Sequence, residues 1–353
     1  MYNTDINSLL LRWYNKNKRS LPWRDIHDPY KIWLSEVMLQ QTQVNTVIPY
    51  YNKWIVKYPT LSSVAKTQID DLLKLWEGLG YYSRCRNFFQ ACQIIMNEYG
   101  GIIPSTFTEF KSLPGVGPYI AGAVMSIAFN IPKPAIDGNI NRIMFRYLGL
   151  KNQTKHNKTR VHSILSTFIS LHPGDIIQAL MDIGSSICKP NSVSCNQCPL
   201  SISCKGFLNG SPLLYPNYKN KKSLPVKNII AGLVQHNGKM FITKRKDDGA
   251  LGGLWELPMI LVKDYNDHSL FKKFLKDKYN LNLKINNKIG NIIHSFSHYK
   301  MNIEIFNCEI INTRIQKSSI NNISKWISRK EIVNYAFHKA NHKLFDLLEK
   351  NNV

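Results

Sequence analysis

Leu113-Pro114-Gly115-Val116-Gly117-Pro118-Tyr119-Ile120-Ala121-Gly122-Ala123-Val124 places a tight turn between two helical patterns. Glycines at 115 and 117 let the chain turn sharply with its N–H groups facing outward. Pro118 suits the first position of a helix, and the residues after it are small and apolar. The dipole of that helix adds to the outward amides, so Gly115, Val116 and Gly117 can hold a phosphate without reading a base. A lone turn of this kind is more often a plain helix–helix connection, so its surroundings must decide.

Around the turn, residues 1–205 read as mostly helical. One helix starts at Pro29, capped by Asp28, and runs through Ile32, Trp33, Val37, Val44 and Val47 towards Pro49. Others are expected at 69–77, 83–98, 117–129, 138–148, 158–171 and 174–186. Residues 206–225 are rich in Pro, Asn and Lys without helical periodicity and read as a linker. Beyond it the pattern changes. Strands at 228–235 and 240–245 meet at Asn237-Gly238, a strong hairpin signal. A helix near 268–279, strands near 284–293 and 299–311 and a last helix at 338–350 complete a smaller α+β domain over 226–353. No repeat or low-complexity tract interrupts this plan.

The 353 residues carry 46 Lys+Arg against 23 Asp+Glu, a formal net charge of +23. Such a chain is drawn to polyanions, nucleic acid first. The abundance of Lys, Asn and Ile is also what an A/T-rich genome produces, so charge permits nucleic-acid binding without establishing it. No apolar run has the length of a membrane span, and no early segment has the form of a signal peptide. The reading is a cytoplasmic protein with no membrane partner.

Cys188, Cys195, Cys198 and Cys204 follow a C-x6-C-x2-C-x5-C spacing. Four thiolates in 17 residues can wrap one tetrahedral metal ion or one cubane cluster. On spacing alone zinc stays a fair rival, although zinc sites usually pair two CxxC units and only one is present. Cys85, Cys92 and Cys308 stand apart and read as small apolar residues.

The cysteine spacing and the glycine turn together resemble the endonuclease III/MutY superfamily of helix–hairpin–helix DNA glycosylases, and the two motifs stand at that family's relative positions. The resemblance implies a mainly α N-terminal glycosylase domain with a [4Fe–4S] cluster, one per chain, held by the four cysteines. It runs from about residue 8 to residue 300 and is densest over the first 205.

Breaking an N-glycosidic bond creates an oxocarbenium-like sugar and needs a proton on the departing base, and two carboxylates can divide those tasks. Glu36 lies in Trp33-Leu34-Ser35-Glu36-Val37-Met38-Leu39-Gln40-Gln41-Thr42-Gln43, and Asp137 in Ala135-Ile136-Asp137-Gly138-Asn139. Taken singly, the first is most simply a solvated helix edge and the second a turn or cap. The Glu36 segment closely resembles the adenine-specific MutY branch. By that resemblance Glu36 is the acid that protonates adenine N7, and Asp137 stabilises the sugar cation, through a covalent intermediate that water resolves. Tyr119 and Asn139 match positions that hydrogen-bond around these carboxylates.

The target base must leave the stack to be reached. Gln41 and Tyr81 match the family's intercalating residues, Leu39 lies in the same motif, and Arg19 and Arg24 match positions near the adenine pocket. Endonuclease III carries a Lys just after the hairpin glycines, where this chain has Tyr119. A phenol forms no Schiff base, so a monofunctional glycosylase is expected. Asn141 stands where some relatives carry a Lys, which makes a side lyase activity less expected.

Leu251-Gly252-Gly253-Leu254-Trp255-Glu256-Leu257-Pro258 and His294-Ser295-Phe296-Ser297-His298 resemble the branch's Nudix-like C-terminal domain. Phe296, Ser297 and His298 then form the loop that recognises 8-oxoguanine. The glutamate-rich helix with which a Nudix hydrolase holds magnesium is missing, so the domain reads as a recognition module. The expected partner is double-stranded DNA with an A:8-oxoguanine or A:G mispair, met by a monomer in a bacterial, nucleoid-associated setting. The rivals are an endonuclease III-like enzyme for oxidised pyrimidines, which Tyr119 opposes, and a non-catalytic DNA-binding or redox-sensing cluster protein, which the pair Glu36 and Asp137 opposes. A Nudix nucleotide hydrolase is the fourth, opposed by the missing glutamates.

Overall fold

A computed structural model describes residues 4–217, 223–311 and 323–351. Their contacts divide the chain into two compact units, one of residues 1–66 and 87–220 and one of residues 67–86 and 221–353. The stretch 67–86, which sequence patterning groups with the helical part, thus clusters with the C-terminal part.

The helices are α1 (Thr4–Asn17), α2 (Pro29–Leu39), α3 (Val44–Lys57), α4 (Leu61–Ala65), α5 (Ile69–Leu75), α6 (Ser83–Glu98), α7 (Phe107–Ser112), α8 (Pro118–Ile127), α9 (Gly138–Leu148), α10 (Lys155–Phe168), α11 (Pro173–Ser186) and α12 (Lys205–Leu208). In the first unit every residue of α8 from Ile120 to Ile127 is buried, which marks it as the central helix. Trp33 of α2 meets Phe88 at 4.4 Å and Phe110 at 5.3 Å between ring centroids, and Trp54 of α3 meets Phe88 at 6.1 Å. These rings form a large apolar core on one side of the hairpin.

Asp28 caps α2 as its sequence predicts, accepting from the amides of Tyr30 and Lys31. The helix does not continue to residue 48. Gln41 takes a positive φ of 57°, a turn closes from Thr42 N–H to the Leu39 carbonyl, and Pro49 lies inside α3. No Gly or Pro marks this break, so periodicity ran across it.

The linker expectation for 206–225 also needs correction. Gly206 is buried in α12, and Arg146 donates to the Tyr215 carbonyl at 3.0 Å, so 206–217 pack on the first unit. A side chain at Gly206 would meet the Arg146 carbonyl at 2.9 Å, and this close approach is what its glycine serves. Residues 218–222 lie outside the described residues.

The second unit is built on β1 (Val226–His236), β2 (Lys239–Lys244), β3 (Trp255–Glu256), β4 (Met259–Val262), α13 (His268–Tyr279), β5 (Leu283–Ser295), β6 (Lys300–Ile310), β7 (Ser324–Ile327) and α14 (Lys339–Lys350). The sheet runs β3-β2-β1-β6-β5, with β4 also on β1 and β7 also on β2. β1 and β6 are parallel and the other pairs antiparallel. Asn237 and Gly238 both take positive φ, as a two-residue hairpin of this type demands. Phe271, Leu275 and Tyr279 of α13 bury against Ile230, Val234, Phe306 and Cys308. The short strands β3, β4 and β7 were not expected; at two to four residues they are too brief to show a period.

Candidate active site

The hairpin is a turn closed from the Val116 N–H to the Leu113 carbonyl, with Gly115 at φ 75°. A residue other than glycine is strained there, and a Cβ would meet Asn87 at 2.7 Å. Val116 is buried, and its amide serves the turn. Gly115 is exposed and Gly117, half-buried, is the N-cap of α8 without a side-chain cap, a helix start of the kind that receives phosphate.

Tyr119, one residue into α8, points back to α2. Its hydroxyl donates to Glu36 Oε2 at 2.5 Å. Glu36 is 4% exposed, at the inner face of an apolar helix. Burial pushes its carboxyl up to about 7, with the charge of Asp137 adding; the Tyr119 donor and the Arg24 guanidinium pull the other way. Burial, then Glu36 and Asp137, keep the Tyr119 hydroxyl protonated.

Asp137 is the N-cap of α9, with Oδ1 accepting from the Ile140 amide at 2.7 Å and Oδ2 from Asn139 Nδ2 at 2.9 Å. Its approach is set by glycine. A Cβ on Gly122 would lie 2.3 Å from the Pro134 carbonyl oxygen, so only glycine lets residues 134–135 lie flat on α8. A Cβ on Gly184 of α11 would likewise meet Asn139 at 2.6 Å.

These groups share one cavity of about 140 Å3, lined among others by Arg19, Arg24, Ser35, Glu36, Leu39, Tyr119, Asp137, Asn139 and Gln178. That is many times the roughly 10–15 Å3 one water needs on the same measure. Arg24 donates to Tyr14 Oη at 2.6 Å and to Asp182 Oδ1 at 3.1 Å, and Arg19 Nη2 donates to the same oxygen at 2.6 Å. Asp182, 1% exposed, thereby fixes both arginines at the cavity wall. Sequence reasoning missed it. The signal was a lone acid on the apolar face of α11.

Of the remaining expected residues, Gln41 is exposed at the break after α2. Within the second unit Tyr81, with φ 50°, lies 2.5 Å from Ser297 through their hydroxyls. Phe296 stacks edge-on to His294 at 4.5 Å and packs on Tyr299 at 5.2 Å, while Ser297 and His298 are exposed.

Cys188, Cys195, Cys198 and Cys204 line one small cavity together with Arg146, Tyr147, Leu200 and Phe207. Among the described residues no three of His, Cys, Asp and Glu are grouped as ligands of a single metal ion. The surroundings suit bound thiolates. Arg146, 1% exposed, donates to Cys188 Sγ at 3.2 Å and to the carbonyls of Lys189 and Pro190. Burial pushes the Cys198 thiol up to about 12 and raises that of Cys204, while the Leu200 amide on Cys198 and the Phe207 and Gly206 amides on Cys204 pull the other way. Donors aimed at sulfur stabilise its anion.

Residues 34–166 match the model of the HhH-GPD superfamily of base excision DNA repair proteins, and 229–347 match a NUDIX domain. A thermostable thymine-DNA glycosylase structure superposes with a TM-score of 0.53 at 29% identity, over 57% of this chain and 95% of its own. A non-covalent endonuclease III–DNA complex reaches 0.50 at 22% identity, over 60% and 99%, a likeness of fold. Hairpin, buried acid and capping aspartate thus define a helix–hairpin–helix DNA glycosylase with an added Nudix-like domain. The adenine DNA glycosylase of Buchnera aphidicola subsp. Baizongia pistaciae is 35% identical over 320 residues, 90% of this chain and 89% of that one. The human adenine DNA glycosylase is 28% identical over 402 residues, 97% and 73%. The chain belongs to the adenine DNA glycosylase family.

Proposed function

We propose that this glycosylase removes adenine mispaired with 8-oxoguanine or guanine, by hydrolysis and without strand cleavage. One observation carries the reading: a carboxyl held near neutrality, a capped carboxylate and the phenol between them line one cavity. The adenine leaves the stack and enters this cavity. Glu36 delivers a proton to N7, which weakens the glycosidic bond. Asp137, fixed by Ile140 and Asn139, holds the developing sugar cation and forms the covalent intermediate that water then opens. No amine stands at position 119 to form a Schiff base.

Gln41 and Tyr81 fill the vacated stack. Gly115 and Gly117 grip the backbone, and Phe296, Ser297 and His298 read the oxidised guanine, with Ser297 bonding its Hoogsteen edge. In the segment after Pro258 the second domain lacks the glutamate helix of a Nudix hydrolase, so it acts as a reader. In this reading the glycosylase domain takes in the packed segment 206–217, and the recognition domain covers 226–353. The four cysteines would hold one [4Fe–4S] cluster, which would tie the loop 188–204 together. The enzyme works as a monomer on duplex DNA in the bacterial cytoplasm, and no described helix is long and apolar enough to cross a membrane.

The test is a set of duplexes with adenine opposite 8-oxoguanine and opposite each of the four ordinary bases, treated with hot alkali after incubation. Cutting at adenine opposite 8-oxoguanine and guanine, absent in Glu36→Gln, is expected. Equal cutting in that variant would remove Glu36 as the acid.

A further inference from the structure

Asp137 closes the end of a second space. On its far side an open groove of about 750 Å3 runs between the start of α9 and one face of α10, lined by Ile136, Gly138, Asn141, Lys158, Val161 and His162. Gln153 and Thr159 complete the rim, and Asn141 Nδ2 bonds Gln153 Oε1 at 3.3 Å. Lys155, Lys158, Thr159 and His162 stand at i, i+3, i+4 and i+7 of α10, which places them on one helix face. All four are exposed. From residue 138 to residue 174 the chain has six Lys/Arg and no Asp or Glu. The groove therefore has an apolar floor, an amide rim and a cationic wall, and among the described residues the only carboxylate lining it is Asp137.

We propose that this groove is a second backbone cradle, which takes the deoxyribose-phosphate next to the extruded nucleotide. The sugar packs on Ile136, Gly138 and Val161, and Lys158 and His162 face the phosphate while Asn141 and Gln153 bond its oxygens. This rests on the reading of Asp137 as the group facing the target sugar. If the target sugar lies at Asp137, the strand must leave past one side of that residue, and this side carries the complementary charge. The contacts are to phosphate and sugar, so they strengthen binding without selecting sequence.

The experiment compares full-length wild type with Lys158→Ala/His162→Ala and with Lys158→Glu. Binding to a mispaired duplex carrying a non-cleavable adenine analogue is followed by fluorescence anisotropy from 50 to 200 mM salt. Both substituted side chains are exposed, so melting curves should overlay. The double variant should bind about tenfold more weakly, and the slope of log K against log salt should fall by about 1. Lys158→Glu should bind more weakly still. Wild-type affinity and slope in both folded variants would overturn the cradle, including in favour of an acidic protein partner for this face. Adenine release by the wild-type preparation, measured alongside, separates that result from failure of the glycosylase reading itself.

Discussion

Tyr119 and Glu36 are 83 residues apart in the chain, and the phenol of one donates directly to the carboxylate of the other inside a buried cavity. The contact joins the hairpin helix to α2. It also opposes burial: desolvation favours the neutral acid and the phenol favours its anion, and desolvation wins. A carboxyl held near 7 keeps a proton to give at physiological pH.

The rate should therefore have an alkaline limb. Single-turnover adenine release is expected to fall as pH rises through about 7, and Glu36→Gln should lower it by 10²–10⁴ at neutral pH. Stability follows the same group. A folded pKa above the ordinary 4.5 means that its contribution is complete below 4.5 and is lost as pH rises through about 7. Full loss amounts to about 3 kcal/mol. Glu36→Gln should thus unfold at higher urea than wild type at pH 8.5, with the gap closing at pH 5.

Tyr119→Phe removes the donor that favours the carboxylate. The alkaline limb should move to higher pH while the protein stays folded. A pH–rate profile superimposable on wild type would show that the phenol does not tune Glu36.

Asp137 has two tasks that substitution can separate. Asparagine caps helices about as well as aspartate, so Asp137→Asn should melt within a few degrees of wild type and yet lose most of its glycosylase rate. Asp137→Ala should lose the rate and roughly 1 kcal/mol of stability as well. Urea unfolding and single-turnover assays on both variants decide the matter.

Gly122→Ala forces a methyl against the Pro134 carbonyl. A cost of about 1–3 kcal/mol is expected, together with a slower rate because the displaced segment carries Asp137. Wild-type urea midpoint and rate in this variant would show that the contact relaxes freely.

Arg146→Ala removes the guanidinium that ties Cys188, Lys189, Pro190 and Tyr215. Iron and acid-labile sulfide per chain should fall below the wild-type value, and the melting temperature should drop. Four of each per wild-type chain is the expected content. Zinc in their place would replace the cluster reading.

Much of this was legible in the chain because the signals were local. Asp28-Pro29 fixed one helix start, Asn237-Gly238 one hairpin, and α13 follows the apolar period of its own residues. Glu36 and Asp137 were legible through motif resemblance, since each alone has an ordinary structural reading. The break at Gln41 was hidden because it depends on a backbone conformation that no glycine advertises. Asp182 was hidden for a different reason: its partners are 158 and 163 residues away. The folding-back of 206–217 was equally non-local, since its polar composition reads as a linker until Arg146 is seen to hold it.

The 163-residue separation of Arg19 from Asp182 also sets a timetable for the growing chain. At roughly 5–20 residues per second, Asp182 leaves the ribosome about ten to thirty seconds after Arg19. Through that interval the segment after α1 carries Arg19 and Arg24 without the carboxylate that holds them. A nascent chain stalled before residue 182 would bear two arginines without their anchor, on a newborn loop open to chaperones and proteases.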